Sequence, residues 1–248
     1  MAALSGPACA VSQVAVPTPV SDLERPVVVL LHGLARSSRS MAKLEGHLEK
    51  KGYQVLNIGY PSTDYTVETL AADYVLPAIK NGLAEYKGAV NFVGHSMGGI
   101  IVRHMATLPA EDLGFEFGRV VMLGPPNNGS ELVDKLGDWW LFEKINGPAG
   151  MQLGTKEDDM PKTLGKPLFD VGVIAGDRSM NLILSMLIPG EDDGKVSIES
   201  AKLDGMKDFK IMSATHTFMM RKRSVMDEVA YFLAHGSFQP EEGDPATE

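Results

Sequence analysis

The segment Val90–Val102 reads VNFVGHSMGGIIV and decides our prediction of the fold. It contains a short apolar run, then a Gly-x-Ser-x-Gly pattern centred on Ser96, then an apolar stretch that we predict to be a helix. A strand that leads directly into a helix places the serine on a sharp, strained turn. Gly94 and Gly98 permit this turn, because a side chain at either position would collide with the neighbouring strand or helix.

Ser96 is therefore our candidate nucleophile. The alternative is a serine that merely occupies a tight turn, since the five-residue pattern alone arises often by chance. The predicted strand before it and the predicted helix after it carry the prediction. The first amides of that helix would favour negative charge that develops near the hydroxyl.

Short apolar runs alternate with longer mixed segments along most of the chain. Runs that are continuously apolar are typical of a parallel sheet covered on both faces. The repetition of strands and helices predicts one doubly wound α/β domain with a mostly parallel sheet of about six strands and helices on both faces. The predicted strands are Val27–Leu31, Gln54–Ile58, Val90–Val93, Val120–Leu123, Val171–Ala175 and Phe209–Met212, and the predicted helices are Ser40–Lys51, Val67–Tyr86, Met97–Leu108 and Ser224–Leu233.

The α/β domain is predicted to span residues 26–235. About forty-five residues separate two of its strands, which is more than a plain crossover needs, so we predict a cap or lid inserted at about residues 131–168. Residues 1–25 are assigned to an N-terminal extension, for which a trimmed secretory signal is one interpretation. Residues 236–248 carry acidic groups and prolines and are predicted to form an acidic tail.

Composition narrows the classes of partner. The 248 residues include 23 Lys and Arg against 32 Asp and Glu, a formal net charge of -9, which disfavours nucleic acid. The single cysteine, Cys9, cannot form an internal disulfide or a Cys-x-x-Cys metal pair. No apolar run approaches the length of a transmembrane segment. We predict a soluble protein, with cytoplasmic and exported locations and the oligomeric state all left open.

A nucleophilic serine that attacks an acyl group needs donors for the oxyanion. The amide after the nucleophile, Met97, is the first predicted donor, and the Leu34 amide in an early strand–helix loop is the second. Gly33 would let that loop turn its amide inward. His32, at the end of the first strand, is predicted to hold the loop.

The serine also needs a base, and six histidines compete for this role. His216 follows the last predicted strand, so it lies at the sheet edge where the carboxyl ends of the strands meet. His95 adjoins Ser96 and is predicted to point away from the hydroxyl, and His47 is predicted to lie on the surface. We therefore predict His216 to be the base, with a loop histidine as the alternative.

The base needs a carboxylate that fixes its tautomer. Asp177 ends a predicted strand and is the simplest topological candidate, but it is also a good helix N-cap. Asp193 lies in an Asp-Gly turn, and Asp192 beside it is a third candidate. The residues alone leave Asp177 and Asp193 nearly equal.

The motifs together resemble the α/β-hydrolase superfamily and, more narrowly, the bacterial lipases and carboxylesterases. The resemblance covers residues 26–235 and implies a serine hydrolase of that fold. In that family an Asp-Gly-x-Val segment carries the acid, which implies Asp193 and the order Ser96, Asp193, His216. The motifs that carry it are Leu31–Gly33 (LHG), Gly94–Gly99 (GHSMGG), Gly124–Ser130 (GPPNNGS), Asp193–Val196 (DGKV) and His216.

The chain departs from the family in places. The part before Val27 is too short for the full set of leading strands, so we expect a reduced sheet. Secreted lipases of the family often carry a disulfide or a structural calcium ion. The single Cys9 excludes the first, and we find no acidic cluster that suggests the second. We predict no cofactor and no metal.

Large apolar side chains in the predicted cap, Trp139, Trp140 and Phe142, are candidate substrate-binding residues. The alternative is that these rings pack the cap onto the domain. No strongly basic segment is found there, which disfavours a highly anionic substrate. We predict an esterase or lipase that cleaves uncharged esters with apolar acyl chains. The alternatives are a thioesterase, amidase or acyltransferase with the same triad, or a catalytically silent lipid-binding protein.

Overall fold

The computed structural model describes residues 25–137, 140–179 and 186–240. Its centre is a six-stranded parallel sheet with the strand order β2-β1-β3-β4-β5-β6. This confirms the predicted α/β class and the predicted number of strands. The strands are β1 (Val27–Leu31), β2 (Gln54–Ile58), β3 (Val90–His95), β4 (Phe117–Leu123), β5 (Val171–Gly176) and β6 (Asp208–Met212).

Strand β1 shows why continuously apolar runs form this sheet. All five of its residues are fully buried. Because successive side chains point to opposite faces, Val27, Val29 and Leu31 enter the core on one face. Val28 and Leu30 enter the core on the other. Helices cover both faces, so an alternating polar pattern would leave polar groups buried.

Helices connect the strands. The second predicted helix, Val67–Tyr86, is divided: a π-helical segment at Leu70–Val75 separates two α-helices. The helices are α1 (Ala42–Lys50), α2 (Val67–Thr69), α3 (Leu76–Gly82), α4 (Met97–Met105), α5 (Ala110–Leu113), α6 (Glu131–Leu136), α7 (Trp140–Met151), α8 (Met160–Thr163), α9 (Ile198–Ala201) and α10 (Arg223–His235).

The segment predicted as a cap lies between β4 and β5 and contains α6, α7 and α8. Helix α7 is interrupted at Gly147, whose backbone is not helical (φ 64°, ψ −173°). Within residues 25–137, 140–179 and 186–240, no helix is long and apolar enough to cross a membrane.

One prediction about a single side chain is wrong. His47 is buried, with only 7% of its surface exposed, although its helix carries charged residues. Its Nε2 atom lies 3.2 Å from Oδ1 of Asp227, so it packs between α1 and α10. The charged face of α1 is real, but His47 lies on the opposite face.

Candidate active site

Ser96 lies on the turn between β3 and α4. Its backbone has a positive φ (φ 54°, ψ −124°), which few residues other than glycine adopt. The two flanking glycines are needed for close packing. A Cβ atom at Gly94 would lie 2.5 Å from the backbone nitrogen of Gly99, and one at Gly98 would lie 2.4 Å from the carbonyl oxygen of Leu31. The local sequence thus forms the strained turn that its pattern predicts.

The structure brings Ser96, His216 and Asp193 together. Nε2 of His216 lies 3.0 Å from Oγ of Ser96, and its Nδ1 lies 2.7 Å from Oδ2 of Asp193. The loop after β6 delivers His216, whose backbone N–H donates to the carbonyl oxygen of Asp193 at 2.9 Å. His216 and Asp193 are 4% and 2% exposed, so water competes little for these hydrogen bonds.

The Asp193 carboxylate is held by its own loop. Its Oδ1 atom accepts hydrogen bonds from the backbone N–H groups of Lys195 (3.0 Å) and Val196 (2.9 Å). These bonds leave Oδ2 to face the imidazole. Asp192 accepts from the N–H of Gly194 at 2.6 Å, so it helps to form the same turn. Asp177, the competing candidate, lies at the end of β5 with Oδ1 3.6 Å from Nε of Arg178.

His95 is hydrogen-bonded to the backbone of His216. Its Nε2 atom lies 2.9 Å from the carbonyl oxygen of His216, to which it donates. The two rings are 5.0 Å apart. Burial holds the pKa of His95 well below its ordinary value, and the nearby charge of His216 adds to this effect, so the ring is neutral. The sequence pattern does not predict this contact.

The loop after β1 packs against the serine turn. A Cβ atom at Gly33 would lie 2.9 Å from Nδ1 of His95 and 3.1 Å from Cβ of Ser96, so only glycine fits there. Leu34 follows and lines the same cavity as Ser96. Ala35 has a positive φ of 53°, a strained conformation for a residue with a side chain. The loop therefore packs directly against Ser96 and His95.

His32 holds this loop from inside the protein. Its Nδ1 lies 2.9 Å from the carbonyl oxygen of Gly33, and its Nε2 accepts from the backbone N–H of Tyr60 at 3.3 Å. The two rings are stacked at 4.0 Å, and the Tyr60 hydroxyl donates to the His32 carbonyl oxygen. Burial lowers the pKa of His32. These contacts agree with a structural role for His32.

A cavity of about 320 Å³ opens beside Ser96. Side chains of the cap form an apolar wall, contributed by Leu132, Val133, Leu136, Ile145 and Leu153. Two cations, Arg36 and Lys195, also line the cavity. The sequence pattern predicts neither, because they are far apart in the chain and neither belongs to a basic segment.

The candidate cap residues have different outcomes. Trp139 lies outside the described residues. Phe142 belongs to α7, but its side chain lies outside what the structure describes. Trp140 is 66% exposed and lines a separate groove. From the same helix it is Ile145, together with Asn146, that reaches the cavity beside Ser96.

The fold and the sequence define the class of this protein: it belongs to the alpha/beta hydrolase family, whose model matches residues 28–185. No curated protein sequence matches the chain.

Solved structures with the same fold include lipases and esterases. The mature lipase BlEst2 of Bacillus licheniformis superposes with a TM-score of 0.67 at 20% identity, covering 89% of this chain and 96% of that one. A metagenomic carboxyl esterase, MGS0156, superposes with a TM-score of 0.59 at 19% identity, covering 83% and 68%. The phospholipase PlaB of Legionella pneumophila, in complex with thio-NAD, gives 0.58 at 20% identity, with 71% of this chain and 44% of that chain covered. At such identities the likeness shows the fold.

Proposed function

We propose that this protein is a serine carboxylic-ester hydrolase that cleaves esters with apolar acyl chains. One observation carries the proposal: the Ser96 hydroxyl lies 3.0 Å from an imidazole whose other nitrogen lies 2.7 Å from a buried carboxylate. This is the geometry that activates a serine for acyl transfer. The cavity with its apolar wall lies directly beside that hydroxyl.

The acylation step follows from the hydrogen bonds. Because Asp193 holds Nδ1–H of His216, the neutral imidazole presents the lone pair of Nε2 to Ser96. Ser96 Oγ attacks the ester carbonyl carbon, and its proton passes to Nε2. The carbonyl π electrons move to oxygen, which becomes the oxyanion. When they return, the C–O bond to the alcohol breaks and the imidazolium protonates the leaving alkoxide.

The backbone amides of Leu34 and Met97 are the proposed donors to the oxyanion. Met97 begins α4 directly after the nucleophile, and Leu34 lines the cavity on the loop that packs against the serine turn. Each such donor contributes roughly 3 kcal/mol to stabilising the transition state. Because both are backbone groups, their positions depend on the glycines rather than on side-chain chemistry.

Deacylation repeats the sequence with water. His216 takes a proton from a water molecule, the hydroxide adds to the acyl carbonyl, and Ser96 leaves with the proton from the imidazolium. Asp193 remains ionised throughout and stabilises the positive ring. His95, held neutral by burial, donates to the His216 carbonyl oxygen at 2.9 Å and is proposed as a positioning residue.

The apolar wall of the cavity favours a substrate with an apolar acyl chain. Thioesters, amides and acyl acceptors other than water would use the same three residues. A catalytically silent binding protein would gain nothing from holding Ser96 at a φ of 54° against the imidazole. We therefore keep the ester hydrolase as the proposal.

The test combines turnover with covalent labelling. Wild type, Ser96→Ala and the control Ser40→Ala are assayed on p-nitrophenyl esters of increasing acyl length and treated with a fluorophosphonate probe. Ser96→Ala should lower kcat by roughly 10⁴-fold or more and abolish labelling, while circular dichroism stays unchanged. Ser40→Ala, in the short 3-10 turn before α1, should behave as wild type. Turnover or labelling that survives in Ser96→Ala would refute the proposal.

A further inference from the structure

The cavity beside Ser96 carries charge of one sign. Arg36 and Lys195 line it, and among its described lining residues none is Asp or Glu. Arg36 lies two positions after Leu34, and Lys195 lies two positions after Asp193. The two cations thus belong to the two loops that surround the proposed reaction centre. This local excess of positive charge contrasts with the formal net charge of -9 of the whole chain.

Neither cation is neutralised by a salt bridge in the described part of the chain, where the ion pairs involve other side chains. Surrounding protein desolvates the Lys195 ammonium and lowers its pKa, and the charge of Arg36 lowers it further, against the attraction of Asp193. Both side chains reach solvent at the cavity. An anion that bound between them would relieve their mutual repulsion.

Much of the cavity wall is apolar. The residues of the predicted cap that line it offer no charge, among them Leu132, Leu136 and Leu153. An apolar acyl chain gains from burial against such a wall, whereas a charged group would be desolvated there without a partner. The cavity beside Ser96 therefore combines an apolar lining with two cations.

We propose that Arg36 and Lys195 bind an anionic group on the alcohol part of the substrate, so that preferred esters combine an apolar acyl chain with a nearby phosphate or carboxylate. This inference rests on the proposed function and adds the substrate class to it. It departs from the expectation of an uncharged ester drawn from the sequence. The two cations come together only in the folded chain, so the sequence did not indicate a cationic site.

The chemistry remains ester hydrolysis. Water adds to the acyl carbon, the C–O ester bond breaks, and the products are a fatty acid and an alcohol that keeps its phosphate or carboxylate. No phosphorus–oxygen bond is cleaved. The cations act on binding of the substrate and its transition state, so their contribution appears as selectivity between charged and neutral alcohols of the same acyl chain.

The test uses three substrates with one acyl group: octanoylglycerol, 1-octanoylglycerol 3-phosphate and the octanoyl ester of glyceric acid. Wild type should prefer both charged esters to the neutral one by about tenfold in kcat/KM, as a charged hydrogen-bonded contact allows. If only the phosphate ester is preferred, the ligand is phosphate. If both are preferred, the site recognises negative charge and does not distinguish phosphate from carboxylate. A preference for the neutral ester would overturn the proposal.

Variants assign that selectivity to the two side chains. Arg36→Gln and Lys195→Gln should each reduce the ratio of charged to neutral kcat/KM by about threefold or more, and the double variant should bring it to about one. Arg36→Lys and Lys195→Arg, which keep the charge, should retain most of the ratio. Arg39→Gln removes an exposed cation outside the cavity and is the matched control. A ratio that is unchanged in the double variant would overturn the proposal.

A binding measurement separates this proposal from the proposed function. In the Ser96→Ala background, calorimetry compares 1-octanoylglycerol 3-phosphate with octanoylglycerol. The phosphate ester should bind more tightly, and the advantage should disappear when Arg36 and Lys195 are both changed to Gln. If wild type hydrolyses no ester, the proposed function fails while the binding difference still decides the anion site. Equal binding of both ligands would overturn the anion site alone.

Discussion

Two regions of the molecule meet at the cavity and are held in different ways. The rim, which we define as the serine turn with the loops that carry Asp193 and His216, is fixed by short buried contacts at the carboxyl edge of the sheet. The predicted cap, residues 131–168, contains α6, α7 and α8. Helix α7 is broken at Gly147 and contacts the loop before α2 through a bond from the Ala149 N–H to the Tyr65 carbonyl oxygen, at 3.1 Å.

This difference means that the proposed chemistry and the proposed choice of acyl chain depend on different parts of the structure. A proposed proton relay needs atoms held within a few tenths of an ångström, which a buried strand edge provides. The cap contributes apolar side chains whose exact position matters less. Ile145 is 56% exposed although it lines the cavity, so the wall of the cavity is also partly open to solvent.

A substitution in the rim should cause the greatest loss of activity. Asp193→Asn should reduce kcat by roughly 10⁴-fold, because an amide favours the wrong imidazole tautomer. Asp177→Asn, at the neighbouring strand end, should change kcat by less than about threefold, since its carboxylate lies beside Arg178. Steady-state kinetics on a p-nitrophenyl ester measure both. A greater loss at position 177 would reverse the assignment of the acid.

The next prediction compares a glycine of the rim with one of the cap. Gly98→Ala should abolish activity and lower the free energy of unfolding by about 2 to 3 kcal/mol, because the added methyl meets strand backbone, 2.4 Å from the Leu31 carbonyl oxygen. Gly147→Ala would place its methyl 1.7 Å from the Thr63 carbonyl oxygen at a φ of 64°, so it should lower the free energy of unfolding at least as much, but it lies outside the serine turn and should leave more of the short-chain turnover. Chemical denaturation and activity on a short-chain ester measure the two effects.

Gly46→Ala is the control, because a methyl group there would meet nothing within 4 Å. It lies inside α1, so it should stabilise the protein by about 0.5 to 1 kcal/mol. If Gly147→Ala abolished short-chain turnover as fully as Gly98→Ala, the cap would be part of the rigid support and the distinction between the two regions would fail.

The difference between the regions also explains which features could be predicted from sequence. The serine turn depends on residues adjacent in the chain, so Gly94, Ser96 and Gly98 predict it directly. His216 follows from chain order along the sheet edge. For the acid, residue patterns alone left Asp177 and Asp193 nearly equal, and the resemblance to a family favoured the one that the structure brings to the imidazole.

Features that depend on distant segments could not be predicted. His95 reaches the carbonyl oxygen of a residue 121 positions away, and Arg36 and Lys195 meet only across the folded cavity. The cap failed for a different reason. Trp140 and Ile145 both precede the break at Gly147 and lie on different faces of α7, and helical periodicity does not tell which face turns to the cavity.

A third prediction concerns the pH dependence of the rim. Burial lowers the folded-state pKa of His95 below its value of about 6.5 in the unfolded chain. Below pH 6.5 the unfolded state therefore binds a proton that the folded state excludes. The free energy of unfolding should fall by about 1.4 kcal/mol per pH unit from this one residue as the pH decreases.

The variant His95→Gln keeps an N–H donor for the His216 carbonyl oxygen but cannot titrate. Its free energy of unfolding, measured by denaturation between pH 7 and 5, should fall less steeply than that of wild type by about that amount. His235→Gln, at an exposed position, is the control and should retain the wild-type slope. Equal slopes for wild type and His95→Gln would show that this imidazole is not held neutral by the fold.

A substitution in the apolar wall of the cavity should have the weakest effect on activity. Ile145→Ala removes part of the apolar wall and should lower kcat/KM for an octanoate ester by roughly threefold to tenfold, with a smaller change for an acetate ester, because a short acyl chain does not reach the cap. Trp140→Ala, on the same helix but 66% exposed outside this cavity, should alter the ratio of the two esters less. A larger change of that ratio in Trp140→Ala would mean that α7 moves to bring Trp140 to the acyl chain, and that the cap acts as a lid rather than as a standing wall.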